Sequence, residues 1–359
     1  MVKKKYDRLI INGELFENSQ LKFLCEKKSA SRDTAEWEKM IYRFIEQWIG
    51  DDNELSFMTS GSTGKPKEIK FTKEQLIKSA ELTRDTFSLK SGMNALLCLP
   101  ADHVAGKMMI VRAFVCGMNL ITRTPSSNPL SNIVEDIHFA AMVPIQVKKA
   151  LKSTKRKLFN IKSLLIGGGI IRHDLIHTIK ASPNRIFGSY GMTETLTHIA
   201  ISDLKSDSPN TYKSLPGIKI TTNDKDCACI TADHLGPEIV TNDIIEIEKN
   251  GSFKIIGRAD NIINSGGLKF SPEQIEQKID PQINCEFFIG SLPDEDLGER
   301  LVLLIENKKY ALASLYKLWG RLEAVLDKHE IPKQIEFLQE FKRTENGKID
   351  RKGSLKLLK

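Results

Sequence analysis

The 359-residue chain has no apolar run near the roughly 18 residues that a membrane helix needs; the longest candidate, Leu164 to Ile171, is short and carries glycines. No membrane span is expected. Cysteine is sparse. Six thiols, at 25, 98, 116, 227, 229 and 285, make no framework, and Cys227 and Cys229 lack the two-residue spacing of a common zinc or redox pair. Reduced thiols in a cytoplasmic protein are the expectation, with Cys227 and Cys229 as alternate positions of one strand. The basic start Met1-Val2-Lys3-Lys4-Lys5 is followed by Tyr6-Asp7-Arg8 and not by an apolar stretch, so no signal peptide is expected. Internal repeats and low-complexity segments are absent. The basic runs Lys3 to Lys5 and Lys152 to Lys157 carry no interleaved aromatics and no recognised nucleic-acid module. A net charge of +7 therefore reads as solvated faces plus sites for anionic small molecules, with no nucleic-acid partner. With 40% apolar and 28% charged residues, the composition is that of a folded globular protein. At about 150 residues per domain, the length suggests two or three domains.

The pattern along the chain predicts a short strand, then a helix over Thr34 to Ile49, where Trp37, Ile41, Phe44, Ile45 and Trp48 share one face. Thr72 and Gln75 form a capping-box signature ahead of another helix. Strands are expected at Ala95–Leu99, Asn119–Thr122, Phe139–Val143, Ser163–Ile166 and Arg185–Phe187, alternating with helices near 104–116, 130–137, 145–152 and 172–180. That alternation predicts a layered α/β domain with a largely parallel sheet. Residues 212–256 read as a small antiparallel subdomain. From about 260, a helix start at Ser271-Pro272-Glu273-Gln274, strands at 285–291 and 301–306, a helix over 311–327 and a strand at 335–338 predict a compact α+β unit.

The strongest chemical signal is Thr59-Ser60-Gly61-Ser62-Thr63-Gly64-Lys65-Pro66-Lys67. Small hydroxyl and glycine residues let backbone N–H groups converge on an anion, and the lysines add charge. It is not the common P-loop, because its glycines are three apart and Pro66 follows Lys65. Gly167-Gly168-Gly169 ends a predicted strand, where ligands approach open α/β sheets. His173 and His177, one turn apart around Asp174, lack the glutamate and third ligand of a zinc site and read as a surface helix.

Five segments, in order, resemble the adenylate-forming superfamily of acyl-CoA ligases, peptide-synthetase adenylation domains and luciferases. They are the 59–67 loop, Gly188-Ser189-Tyr190-Gly191-Met192-Thr193-Glu194, Gly257-Arg258-Ala259-Asp260-Asn261, Ser265-Gly266-Gly267-Leu268-Lys269, and Asn346-Gly347-Lys348-Ile349-Asp350-Arg351. The resemblance implies an α/β fold of the adenylate-forming kind. A large layered N-terminal domain would cover 1–257, with its β subdomain at about 210–256, and a mobile α+β lid would cover 258–359.

The same resemblance implies the roles. Thr59, Ser60, Gly61, Ser62, Thr63, Gly64 and Lys65 would hold the phosphates of ATP. Gly168, Gly169, Ser189, Tyr190 and Gly191 would border the adenine. Thr193 would bond the α-phosphate, and Glu194 would hold Mg²⁺, a hard cation that takes oxygen ligands. Asp243 would take the ribose hydroxyls. It lies in Val240-Thr241-Asn242-Asp243, where Asn242 replaces the family's glycine in an expected turn. Arg258 would touch ribose or phosphate, Asp260 would be the hinge, and Lys348 would stabilise the charge built up in adenylate formation. Lys269 would serve the second step with coenzyme A, in another lid orientation. His103, in Leu99-Pro100-Ala101-Asp102-His103, would border the acyl pocket, although the aromatics common before it are absent.

Only 58 residues precede the loop, so the shortening relative to the family would be N-terminal. Short members, together with Met142-Val143-Pro144-Ile145-Gln146-Val147 and the run to His198, point to a resemblance with the o-succinylbenzoate–CoA ligases of menaquinone synthesis. Such a dicarboxylic acid needs a second cation. Lys107 or Arg112 is the expected source, with Thr197 beside the acid. Other acyl- or aryl-CoA ligases, carrier-protein-loading enzymes and a non-catalytic nucleotide-binding protein of this fold are the alternatives.

Overall fold

The computed structural model describes residues 6–59, 67–307, 312–343 and 349–358, without the side chains of 312 and 313. The chain divides into two compact units. The first comprises 1–171, 175–220 and 230–239, and the second 172–174, 221–229 and 240–359.

The first unit opens with a hairpin, β1 (Arg8–Ile11) and β2 (Glu14–Glu17), followed by α1 (Asn18–Ala30) and α2 (Glu36–Ile49). A second hairpin, β3 (Glu54–Met58) and β4 (Glu68–Thr72), brackets the glycine-rich segment and runs into α3 (Lys73–Phe87). The start of α3 is held by the expected capping box: Gln75 N donates to Thr72 Oγ1, and Thr72 N to Gln75 Oε1. Strand and helix then alternate: β5 (Asn94–Leu97), α4 (Val104–Cys116), β6 (Asn119–Thr122), β7 (Phe139–Met142), α5 (Pro144–Ser153), α6 (Lys155–Asn160), β8 (Ser163–Ile166), α7 (His173–Ile179) and β9 (Arg185–Gly191). Then β10 (His198–Asp203) and β11 (Thr211–Ser214) turn back antiparallel.

The sheet runs in the order β11-β10-β9-β8-β7-β5-β6-β1-β2, and its neighbours from β9 to β1 are parallel. Leu96, Ala140, Leu164 and Ile186 from its strands pack against Val147 and Leu158 of α5 and α6 in one core. The central strands β5, β6, β7 and β8 are apolar with little alternation, as burial on both faces requires.

The second unit contains the order β12 (Lys219–Thr222), β13 (Cys227–Thr231), β14 (Ile239–Ile247) and β15 (Phe253–Arg258), of which β12, β13 and β14 begin or end in segments of the first. Cys227 and Cys229 are alternate buried residues of β13. Next come the hairpin β16 (Ile263–Ser265) and β17 (Leu268–Phe270), α8 (Pro272–Ile279), β18 (Phe287–Asp294), β19 (Gly298–Glu306), α9 (Leu312–Glu323), β20 (Gln334–Leu338) and α10 (Arg351–Leu355). Ser271 caps α8 through Gln274 N. Ile275, Ile279, Leu303 and Leu322 lie in the core of this α+β part.

Three expectations change. Residues 130–137 form turns and bends, not a helix. Glu135 accepts two bonds from Arg123, at 2.6 and 2.8 Å, and one from Val134 N, which hold the chain open while Leu130, Ile133 and Ile137 enter the core. The first 55 residues contain a hairpin and two helices, where one strand and one helix were expected. Asn242 lies within β14 and makes no turn; it precedes a register shift between Ile244 and Ile245.

Candidate nucleotide and acid site

In the first unit, neighbouring parallel strands bring two glycine-bearing segments together. Ile166 of β8 is opposite Gly188 of β9, so Gly167–Gly169 leave the sheet beside Ser189–Gly191. The fit is close. A Cβ on Gly167 would lie 2.1 Å from Ser189 Oγ, and Gly168 sits at φ +77°, a region costly for other residues. Gly191 is tighter still, since a Cβ there would lie 1.9 Å from the Thr197 carbonyl oxygen. Tyr190 is buried, with its ring edge-on to Tyr212 at 6.2 Å.

The turn from β9 to β10 carries Thr193, which is buried, and Glu194, which is half-buried. Thr195 braces it: its Oγ1 accepts from Met192 N at 3.0 Å and can donate to the Thr197 carbonyl at 2.8 Å. The fully buried Leu196 is held at φ +64°, a strained conformation for a branched side chain and one that concentrates at functional turns.

Thr59 is tied to Lys67 on the far side of residues 60–66. Its N donates to the Lys67 carbonyl at 2.8 Å, and Lys67 N donates to its Oγ1 at 2.9 Å. Ser60, Gly61, Ser62, Thr63, Gly64 and Lys65 lie outside the described residues, as does Lys348.

His103 is the N-cap residue of α4, about half exposed, with Nδ1 3.4 Å from Asp102. Lys107, one turn on, is committed elsewhere. Its Nζ donates to the Ser56 carbonyl of β3 at 2.8 Å and lies over the rings of Phe57 and Phe44, at 4.8 and 5.5 Å. Burial lowers its pKa, and Asp102 opposes that. This geometry makes Lys107 an anchor of the β3–β4 hairpin.

Arg112 is only 2% exposed. Its Nε donates to Thr83 Oγ1 at 3.1 Å and its Nη2 to Thr197 Oγ1 at 2.8 Å; no carboxylate pairs with it among the described residues. Burial pulls its pKa down to about 10, so it stays charged at neutral pH. Thr197 Oγ1 and Arg112 Nη2 both face His198 Nδ1, at 2.8 and 3.5 Å. A guanidinium only donates, so Nδ1 accepts and the proton sits on Nε2. That buried Nε2 has no partner among the described residues. Burial, with the Arg112 charge, holds the His198 pKa well below its ordinary value. His198 was not among the expected site residues, although it adjoins Thr197 in the same sequence run.

In the second unit, Asp243 and Arg258 face each other across β14 and β15. Arg258 Nη1 donates to Asp243 Oδ1 at 3.1 Å, while its Nε and Nη2 hold both Asp260 oxygens at 2.9 and 3.0 Å. The Arg258 hydrogen bond keeps the Asp260 carboxyl below the usual range. Lys269 is exposed on β17, across from Asn264, in a hairpin closed by Gly266 and Gly267, both at positive φ. Among the described residues, no group of three or more His, Cys, Asp or Glu could enclose a metal. A single carboxylate beside phosphate oxygens is what Mg²⁺ takes, and Glu194 fits that.

A parallel α/β sheet with a glycine cradle at its strand ends defines a nucleotide-binding protein. Residues 15–233 match the AMP-binding enzyme family, and the chain belongs to it. Among curated relatives, one from Mycobacterium tuberculosis (strain CDC 1551 / Oshkosh), "Probable 2-succinylbenzoate--CoA ligase", is 26% identical over 86% of this chain and 85% of its own length. A 2-succinylbenzoate–CoA ligase from Lactococcus lactis is also 26% identical, over 82% of this chain and 69% of its own. Among solved structures, an acyl-CoA synthetase (AMP-forming)/AMP-acid ligase II-like protein from Dyadobacter fermentans is 35% identical, covering 94% of this chain and 98% of that one, with a TM-score of 0.61. The o-succinylbenzoate CoA synthetase of Bacillus subtilis, solved with its acyl-adenylate intermediate, shares the fold: its TM-score is 0.80 at 16% identity, over 97% and 95% of the two chains.

Proposed function

We propose that the chain is an ATP-dependent, AMP-forming acid–thiol ligase whose acid is o-succinylbenzoate and whose thiol is coenzyme A. A carboxylate oxygen of the acid attacks the α-phosphorus of ATP, and pyrophosphate leaves. The thiol sulfur then attacks the acyl carbonyl and AMP leaves. Mg²⁺ bound by Glu194 would neutralise charge on the triphosphate. The 59–67 loop holds the phosphates by backbone N–H groups, Thr193 donates to the α-phosphate, and Tyr190 and Gly168–Gly169 border the adenine. Asp243 and Arg258 serve the ribose, Asp260 the hinge, and Lys348 and Lys269 the first and second steps.

The observation that carries the choice of acid is Arg112, a buried cation with only neutral partners among the described residues, beside a His198 Nε2–H that has none among them. Leaving a charge so is costly, and a second carboxylate on the acid offsets it. Aryl and acyl monocarboxylates offer no such group. The test is acid-dependent pyrophosphate release over a panel of acids. o-Succinylbenzoate should exceed benzoate and medium-chain fatty acids in kcat/KM by at least tenfold; equal values would discard the assignment of the acid.

A further inference from the structure

Within the second unit, one buried ion pair has no place in the roles above. Arg351, at the start of α10, reaches Glu276 of α8 with both terminal nitrogens, at 2.6 and 2.8 Å. Glu276 is 8% exposed, and its Oε1 also accepts from Ile289 N at 2.7 Å. Arg351 Nη1 donates in turn to the Ile289 carbonyl at 3.1 Å, and the guanidinium lies 5.5 Å from the centre of the Phe288 ring. The pair thus ties α10 to both α8 and β18.

The stem around it is clamped as well. Arg343 and Ile349 form an antiparallel bridge, and Arg343 Nη2 contacts both Glu306 oxygens at 2.9 Å. Asp350 N donates to the Lys342 carbonyl at 2.8 Å, and the Asp350 side chain caps α10 through Gly353 N. Lys348 is joined by one peptide bond to Ile349, and Arg351 follows three residues after it.

A buried ion pair adds little to stability compared with an apolar pair of the same volume, but a bidentate guanidinium–carboxylate contact fixes direction and register. We infer that Glu276 and Arg351 are positioning residues for Lys348, and that they act in adenylate formation and not in thioester formation. The inference rests on the role proposed for Lys348. A displacement of about 1 Å at a reacting centre can cost about a hundredfold in rate.

The experiment uses the full chain with Glu276→Gln, Arg351→Lys and the apolar double variant Glu276→Met with Arg351→Met, which keeps volume where a lone charge would not. Acid-dependent exchange of pyrophosphate into ATP reads the first half-reaction. Release of AMP from preformed acyl-adenylate by coenzyme A reads the second, and Tm is followed alongside. The expected result is a fall of tenfold or more in kcat of the first, unchanged KM for ATP, and the second within twofold of wild type. Equal losses in both half-reactions, or no loss in either, would overturn the inference. If Lys348→Ala leaves exchange intact, the reading of Lys348 itself fails. If Lys348→Ala abolishes exchange while all the Glu276 and Arg351 variants retain it, only this inference falls.

Discussion

Replacing Lys107 with Met separates two readings of α4. The ammonium donates to the Ser56 carbonyl at 2.8 Å and lies 4.8 Å from the centre of the Phe57 ring. A hydrogen bond from a charged donor is worth about 1.5–3 kcal/mol. Each cation–π contact adds about 0.5–1 kcal/mol at a partly exposed site. Burial of the ammonium, visible in its lowered pKa, works against both. A net loss of about 1–2 kcal/mol is therefore expected, with methionine keeping the apolar stem packed on Phe44 and Phe57. That loss falls on β3, which runs directly into the segment proposed to hold the phosphates. At about 1.4 kcal/mol per factor of ten, the KM for ATP should rise roughly five- to thirtyfold. The KM for the acid should stay within twofold. Steady-state pyrophosphate release, varying each substrate in turn, reads both values. A raised KM for the acid with an unchanged KM for ATP would refute the anchoring role and return Lys107 to the acid pocket.

Arg112→Met should raise the KM for o-succinylbenzoate at least tenfold and leave Tm within a few degrees, because it removes a buried charge that has no carboxylate partner among the described residues; a large loss of Tm with unchanged KM would make Arg112 structural. Burial and Arg112 depress the His198 pKa, so below about pH 6.5 the unfolded chain binds a proton that the folded one does not. Stability should be fully present above that pH and fall by up to about 1.4 kcal/mol per unit below it; His198→Gln should flatten the wild-type decline in Tm between pH 7.5 and 5.5, and an identical decline would contradict this. Iodoacetamide on the native protein should label Cys285, which is half-buried, before Cys25 and Cys98, whose thiols burial pushes up to about 12; peptide mass mapping showing Cys98 first would count against the packing.

Features carried by local chemistry were legible in the sequence. The Thr72–Gln75 box and the Ser271 cap each depend on residues within a few positions, and both appear where expected. The β1–β2 hairpin had a readable signal too: Asn12-Gly13 supplies the paired positive φ angles, 50° and 91°, of a two-residue turn. Helix α1 had almost none, since it buries only Leu21 and Cys25. The proposed acid site was legible in part. Lys107 lies one helical turn after His103, but its hydrogen-bond partner, Ser56, lies 51 positions earlier. Arg112 gathers Thr83 and Thr197, 29 and 85 positions away, so a buried cation with no counterion among the described residues emerges only in three dimensions.

Reversible adenylation of o-succinylbenzoate is measured most directly by exchange of labelled pyrophosphate into ATP. Exchange should require that acid, proceed without coenzyme A, and vanish in Lys348→Ala. Exchange that is independent of the acid, or that survives unchanged in Lys348→Ala, would contradict the account.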